Sequence, residues 1–97
     1  MRYAKGTTLI SENRDIPLLV EVRNAKFISH AQLFEMMRLS SLEYCREAFT
    51  WRVRRLVSHD FISRLEGNFG RGIIVYRIAR PGLVQLENFC QFAAVLN

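Results

Sequence analysis

At Asp60 the hydrophobic period of this chain changes. Upstream, apolar residues recur at helical spacing. From Phe61 the run FISRLE alternates apolar and polar residues, GNFGRG follows, and IIVYRIA is rich in β-branched residues. Together they predict two strands joined by a glycine-rich turn, a β-hairpin. A single hairpin set between helical segments makes the fold class α+β. Three glycines in six positions resemble a phosphate-cradling loop, but there is no G-K-[ST] and a strand rather than a helix follows the turn. Both features argue against a P-loop or a dinucleotide site.

The helices around the hairpin carry their own start signals. Asp15 before Ile16 and Pro17 reads as an N-cap followed by a first-turn proline, and Ile16, Leu19 and Val20 carry a helix to about Ala25. Ser29 and Gln32 form an S-x-x-Q capping box, with Ile28 and Leu33 spaced for a hydrophobic staple. A helix from His30 to about Arg38 then buries Leu33, Phe34, Met36 and Met37. Ser40 and Glu43 offer a second capping box, while a turn over Leu39 to Tyr44 fits the pattern equally. The third helix therefore starts between Leu42 and Arg46, and it runs to about Ser58 with Cys45, Phe49, Val53, Leu56 and Val57 on one face.

Beyond the hairpin, Pro81 and Gly82 end the second strand, and Leu83 to Leu96 reads as a C-terminal helix. Phe92, Ala94, Val95 and Leu96 leave its last turns apolar nearly all round, more than a chain of 97 residues covers alone. Leu86, Phe89, Phe92, Val95 and Leu96 are accordingly expected to meet a second copy in a homodimer, or a downstream domain. The organisation expected is an arm over 1–14, one folded unit over 15–80 and this helix over 81–97.

With 49% apolar and 24% charged residues the chain has the balance of one small globular domain. It begins without the apolar run of a signal peptide, and its longest apolar stretch, FAAVL, is too short to span a membrane. Cys45 and Cys90 show no metal or redox spacing, so both are read as reduced core thiols of a cytoplasmic protein.

The net charge of +5 is confined to one region. Between Arg38 and Arg80 lie nine basic residues and four acids, whereas the rest of the chain balances five against five. Every cation in that window is arginine, whose planar fork suits phosphates and guanine edges.

Three helices, a hairpin and a closing helix, in that order, resemble a winged helix-turn-helix, with the second and third helices as the helix-turn-helix and the hairpin as the wing. The most specific part is FTWRVRRLVSHDFISRL followed by VYRIARPGLVQL. Within that superfamily the sequence is most similar to the N-terminal domain of the replication-relaxation family, found on plasmids, phages and other mobile elements. The resemblance implies a third helix that enters DNA and a wing on adjacent backbone. Two positions depart from the pattern. Asp60 stands where a glycine usually follows the recognition helix, a left-handed position that Asp tolerates. Thr50 and Trp51 stand where two arginines often precede the buried residue, which puts transfer of a base-reading role to those positions in doubt.

A helical projection sorts the third helix. Phe49, Val53, Leu56 and Val57 define the inward direction, and Glu47, Thr50, Arg54 and Glu43 fall opposite. Arg46 lies at one margin of that outer face, with Trp51, Arg55 and Ser58 at the other. Arg52 sits nearer the core, its head expected to meet a carboxylate or a phosphate. Trp51 is read as covering the core edge, and His59 as favouring the carbonyl end of the helix. In the hairpin tip, Asn68 and Arg71 are placed to touch a minor groove or phosphates.

His30 and His59 lack ligand spacing, no serine lies in G-x-S-x-G and the acids form no tight pair, so neither catalysis nor a cofactor is expected. The reading is a regulator that binds double-stranded DNA through Arg38, Arg46, Glu47, Thr50, Arg54, Arg55, Asn68 and Arg71, in transcription or in plasmid or phage replication. Against it stand a winged helix used only for protein assembly, with the C-terminal helix as its working surface, and the N-terminal piece of a longer protein.

Overall fold

A computed structural model describes residues 10, 13–65, 70 and 72–96, with side chains as far as Phe89. Asn68 and Arg71, most of the arm over 1–14, and the side chains of Phe92, Val95 and Leu96 lie outside the described residues. The elements run α1 (Asp15–Ala25), β1 (Ile28–Ser29), α2 (His30–Leu39), α3 (Arg46–Ser58), β2 (Ile62–Arg64), β3 (Val75–Ile78) and α4 (Arg80–Leu96). This is the winged helix-turn-helix order, with one strand added. No described helix is long and apolar enough to cross a membrane.

That added strand, β1, is two residues long and pairs antiparallel with β3, Ile28 opposite Tyr76 and Ser29 opposite Val75. The sheet order is β1-β3-β2, with Arg64 opposite Tyr76 on the other side of β3. Ser29 also caps α2. Its hydroxyl accepts from the Gln32 amide at 3.1 Å, and the Gln32 side-chain oxygen accepts from the Ser29 amide at 3.2 Å. The expected capping box is thus present, and the helix starts without any linker after the strand.

Both helices of the helix-turn-helix end in the same way. After α3, Asp60 takes a left-handed φ of 63°, its amide donates to Val57 O, and the Phe61 amide donates to Leu56 O at 2.9 Å. After α2, Ser41 has a φ of 59°, its amide donates to Arg38 O, and the Leu42 amide donates to Met37 O at 2.9 Å. These are Schellman closures, which satisfy the last carbonyls and turn the chain sharply. The second one uses up the turn in which Ser40 and Glu43 were expected to cap α3. Cys45 takes the N-cap position without a side-chain bond.

A single cluster holds the fold, built from Ile16, Leu18, Leu19 and Val22 of α1, Leu33, Phe34 and Met37 of α2, and Phe49, Val53 and Leu56 of α3. Ile28, Phe61, Ile62 and Tyr76 of the sheet region complete it with Leu86. Met36, expected inside, is 41% exposed. α4 begins at Arg80, three residues earlier than its apolar pattern indicates. Pro81 fits the first turn, where its missing N–H is no loss. Gly82 is inside the helix because a Cβ there would come within 2.2 Å of the Phe61 carbonyl oxygen. The close packing of α4 on the start of β2, and not a strand end, accounts for that glycine.

Candidate nucleic-acid interface

The arginines of α3 divide into two groups. Arg52 and Arg55 turn towards α1. Arg52 donates to Asp15 and to Glu43, each at 3.0 Å, and Arg55 donates to the second oxygen of Asp15 at 2.5 Å. Arg14 approaches Glu43 from the other side at 3.8 Å. Asp15 and Glu43 are only 1% and 2% exposed, and burying a carboxylate is costly unless cations answer it. Burial opposes the charge on Arg52, but its bonds to Asp15 and Glu43 outweigh that and hold its pKa above the ordinary arginine value.

This network revises several expectations. Asp15 is the first residue of α1 and an ion-pair acceptor, not an N-cap. Glu43 lies before α3 and inside the protein, not on the outer face. Arg55, expected to touch DNA, is 13% exposed on the side chain and bound to Asp15, so the outer margin of the helix lacks it. Trp51 is 64% exposed rather than covering the core edge, and its ring carries the Arg55 guanidinium at 5.6 Å.

The outer face of α3 is left with Arg46, Glu47, Thr50, Trp51 and Arg54, which line a shallow groove of about 330 Å³. Arg46 stacks on Phe34, its guanidinium carbon 4.9 Å from the ring centre. The Cys45 thiol donates to Glu47 at 3.1 Å. That bond, then the backbone amide at the helix start and the Arg46 charge, hold the Glu47 carboxyl below its ordinary pKa, so this face keeps one negative group. Cys45 is exposed, contrary to its reading as a core thiol. Arg54 is exposed and makes no hydrogen bond to a carboxylate among the described residues.

A second groove, about 360 Å³, separates α3 from the sheet. Thr50, Arg54 and Ser58 face it from the helix, with Arg64 and Tyr76 opposite. His30 joins the walls: its Nδ1 is hydrogen-bonded to the Tyr76 hydroxyl at 2.9 Å, and its Nε2 lies 3.4 Å from the Thr50 hydroxyl. Burial, then the charges of Arg54 and Arg46, lower the pKa of His30. Burial raises that of Tyr76, against the pull of Arg64 and Arg54. Arg64 was not among the expected contacts. Strand alternation puts it on the same face as Ile62, and the hairpin register sets it across from Tyr76.

The remaining expected residues are scattered. Arg38, at the end of α2, is paired on the same helix with Glu35, its Nε donating at 3.1 Å. His59 follows α3 as expected and is 5% exposed. Leu86 is 1% exposed and belongs to the domain's own core, and Phe89 is partly buried against that core. Among the described side chains of α4, Leu83 and Val84 are the exposed large apolar ones.

No protein-family profile matches this sequence, and no curated protein matches it. Solved structures of MarR from E. coli do match in fold. A cysteine-to-serine mutant complexed with operator DNA superimposes with a TM-score of 0.65 at 22% identity, covering 78% of this chain and 51% of that one. The wild-type apo form gives 0.67 at 20% identity, covering 81% and 54%. The chain thus spans about half the length of these structures. At such identities the likeness is one of fold, and a fold hosts many functions. The chain is a winged helix-turn-helix with the architecture also seen in MarR.

Proposed function

We propose that this chain binds double-stranded DNA sequence-specifically, with α3 in the major groove and the hairpin wing on adjacent backbone, as a regulator. The observation that carries the reading is the sorting of the α3 arginines. Asp15 and Glu43 engage Arg52 and Arg55 internally, while Arg46 and Arg54 stay on the outer face without a hydrogen-bonded carboxylate among the described residues. Glu47 beside them suits an interface that reads bases, because a carboxylate accepts from a cytosine amino group and repels a phosphate. The likeness in fold to a MarR protein complexed with operator DNA supports control of transcription. Replication control on mobile elements is the finer reading, and it rests on the resemblance of FTWRVRRLVSHDFISRL and VYRIARPGLVQL alone.

Selection from a random duplex pool in low salt, followed by mobility shift, tests the reading. Binding should fall steeply with added salt, and replacing Arg46 and Arg54 together by Ala should weaken it by on the order of 1–3 kcal/mol. Absence of any shifted duplex in low salt refutes it. The domain also acts as a homodimer through α4, a reading supported by exposed Leu83 and Val84. Sedimentation of a Leu83→Asp, Val84→Asp variant checks this: an unchanged mass removes the support.

A further inference from the structure

We infer that the groove between α3 and the sheet is a phosphate site in which Arg54 and Arg64 hold one strand of the DNA sugar–phosphate backbone. This rests on the reading of the chain as a DNA binder and specifies which part of the duplex the groove takes. A winged helix with its recognition helix in the major groove and its wing on the neighbouring minor groove straddles what divides the two, a backbone strand. Whatever lies between helix and wing faces that strand.

Here that space is a groove of about 360 Å³. Its two cations come from opposite walls, Arg54 from α3 and Arg64 from β2, and both are exposed. Neither hydrogen-bonds a carboxylate among the described residues. Thr50, Ser58 and Tyr76 bring hydroxyls to the same space, and no described Asp or Glu lines it. Two guanidinium forks, the Ser58 hydroxyl and no acid make a donor set for a phosphate, while the Thr50 and Tyr76 hydroxyls are engaged by His30.

The contrast with the other side of α3 sharpens the assignment. On the outer face Glu47 sits among the cations, an arrangement that favours base edges and disfavours phosphate. Arg54 lies on the rim shared by the two grooves. On the sheet side it is a backbone-positioning residue, and Arg64 is its counterpart from the wing.

Fluorescence anisotropy tests this on two duplexes, one selected from the random pool by the wild-type chain and one of mixed sequence, over a range of salt. Arg54→Ala and Arg64→Ala should each weaken both duplexes by the same factor, on the order of tenfold in low salt. Each should also lower the salt slope by about 1. Arg64→Lys should keep the slope. Arg77→Ala, which removes an exposed cation of β3 outside the groove, should do less than either. All three residues are exposed, so the fold is not at stake. An Arg64→Ala variant that behaves like Arg77→Ala overturns the site. So does an Arg54→Ala loss confined to the selected duplex, because that pattern belongs to base reading. Failure of the wild-type chain to bind either duplex is a different result, and it removes the DNA-binding reading itself.

Discussion

Arg52 and Asp15 meet across 37 residues of chain, with Arg52 Nη1 donating to Asp15 Oδ1 at 3.0 Å. The second oxygen of the same carboxylate takes Arg55, so one acid at the start of α1 fixes two cations of α3. The pair therefore orients α3 on α1 while removing charge from the outer face.

Asp15→Ala leaves two guanidinium groups without their shared acceptor in a mostly buried place. Its cost should be on the order of 3 kcal/mol, the usual consequence of breaking one side of a buried pair. Urea unfolding of the wild type and the variant measures it. A loss comparable to that of a surface substitution, roughly 0.5 kcal/mol, would mean that the network contributes little.

His30 gives the stability a pH dependence. Arg54 and Arg46 approach it from α3 and Tyr76 from β3, no carboxylate among the described residues is hydrogen-bonded to it, and its pKa in the folded chain lies below the ordinary 6.5. On lowering the pH the unfolded chain therefore takes up this proton first. The His30 contribution is complete above pH 6.5 and is lost as pH falls through 6.5 towards the folded value. Urea midpoints at pH 7.5 and 5.5 should differ less in His30→Gln than in the wild type. Equal differences would place the dependence elsewhere.

Gly82→Ala would place a methyl group against the Phe61 carbonyl oxygen, a backbone atom that cannot rotate away. The variant should lose roughly 2 kcal/mol by overpacking, despite the better helix propensity of alanine. A gain in melting temperature would show that α4 can shift without cost.

Ser41→Gly should act in the opposite direction. Ser41 is exposed with φ 59°, where an L-residue is strained and glycine is not. The expected gain is about 0.5–1 kcal/mol, read as a higher urea midpoint, and a fall in the midpoint would refute the strain.

Sequence patterns reached the order of the helices, the hairpin, the Ser29 and Gln32 capping box and the left-handed Asp60, because each is set by residues close together in the chain. They missed β1, whose two residues are too few to show a period and which exists only because β3 pairs with it. They also placed Arg55 and Glu43 outside. A helical projection gives direction relative to the core but not the position of α1, and the Asp15 carboxylate that draws Arg55 inward comes from 40 residues away. Arg64 escaped notice for the same reason, since its relation to Arg54 depends on the packing of the sheet beside α3.

Ser29 is at once the last residue of β1 and the cap of α2. With no slack between them, β3 and the helix-turn-helix behave as the two jaws of a caliper of fixed gauge. For a protein that grips DNA as proposed, the adaptation then falls to the duplex. Its groove widths must meet the gauge, and base steps that bend or narrow easily would be favoured even where no side chain touches them.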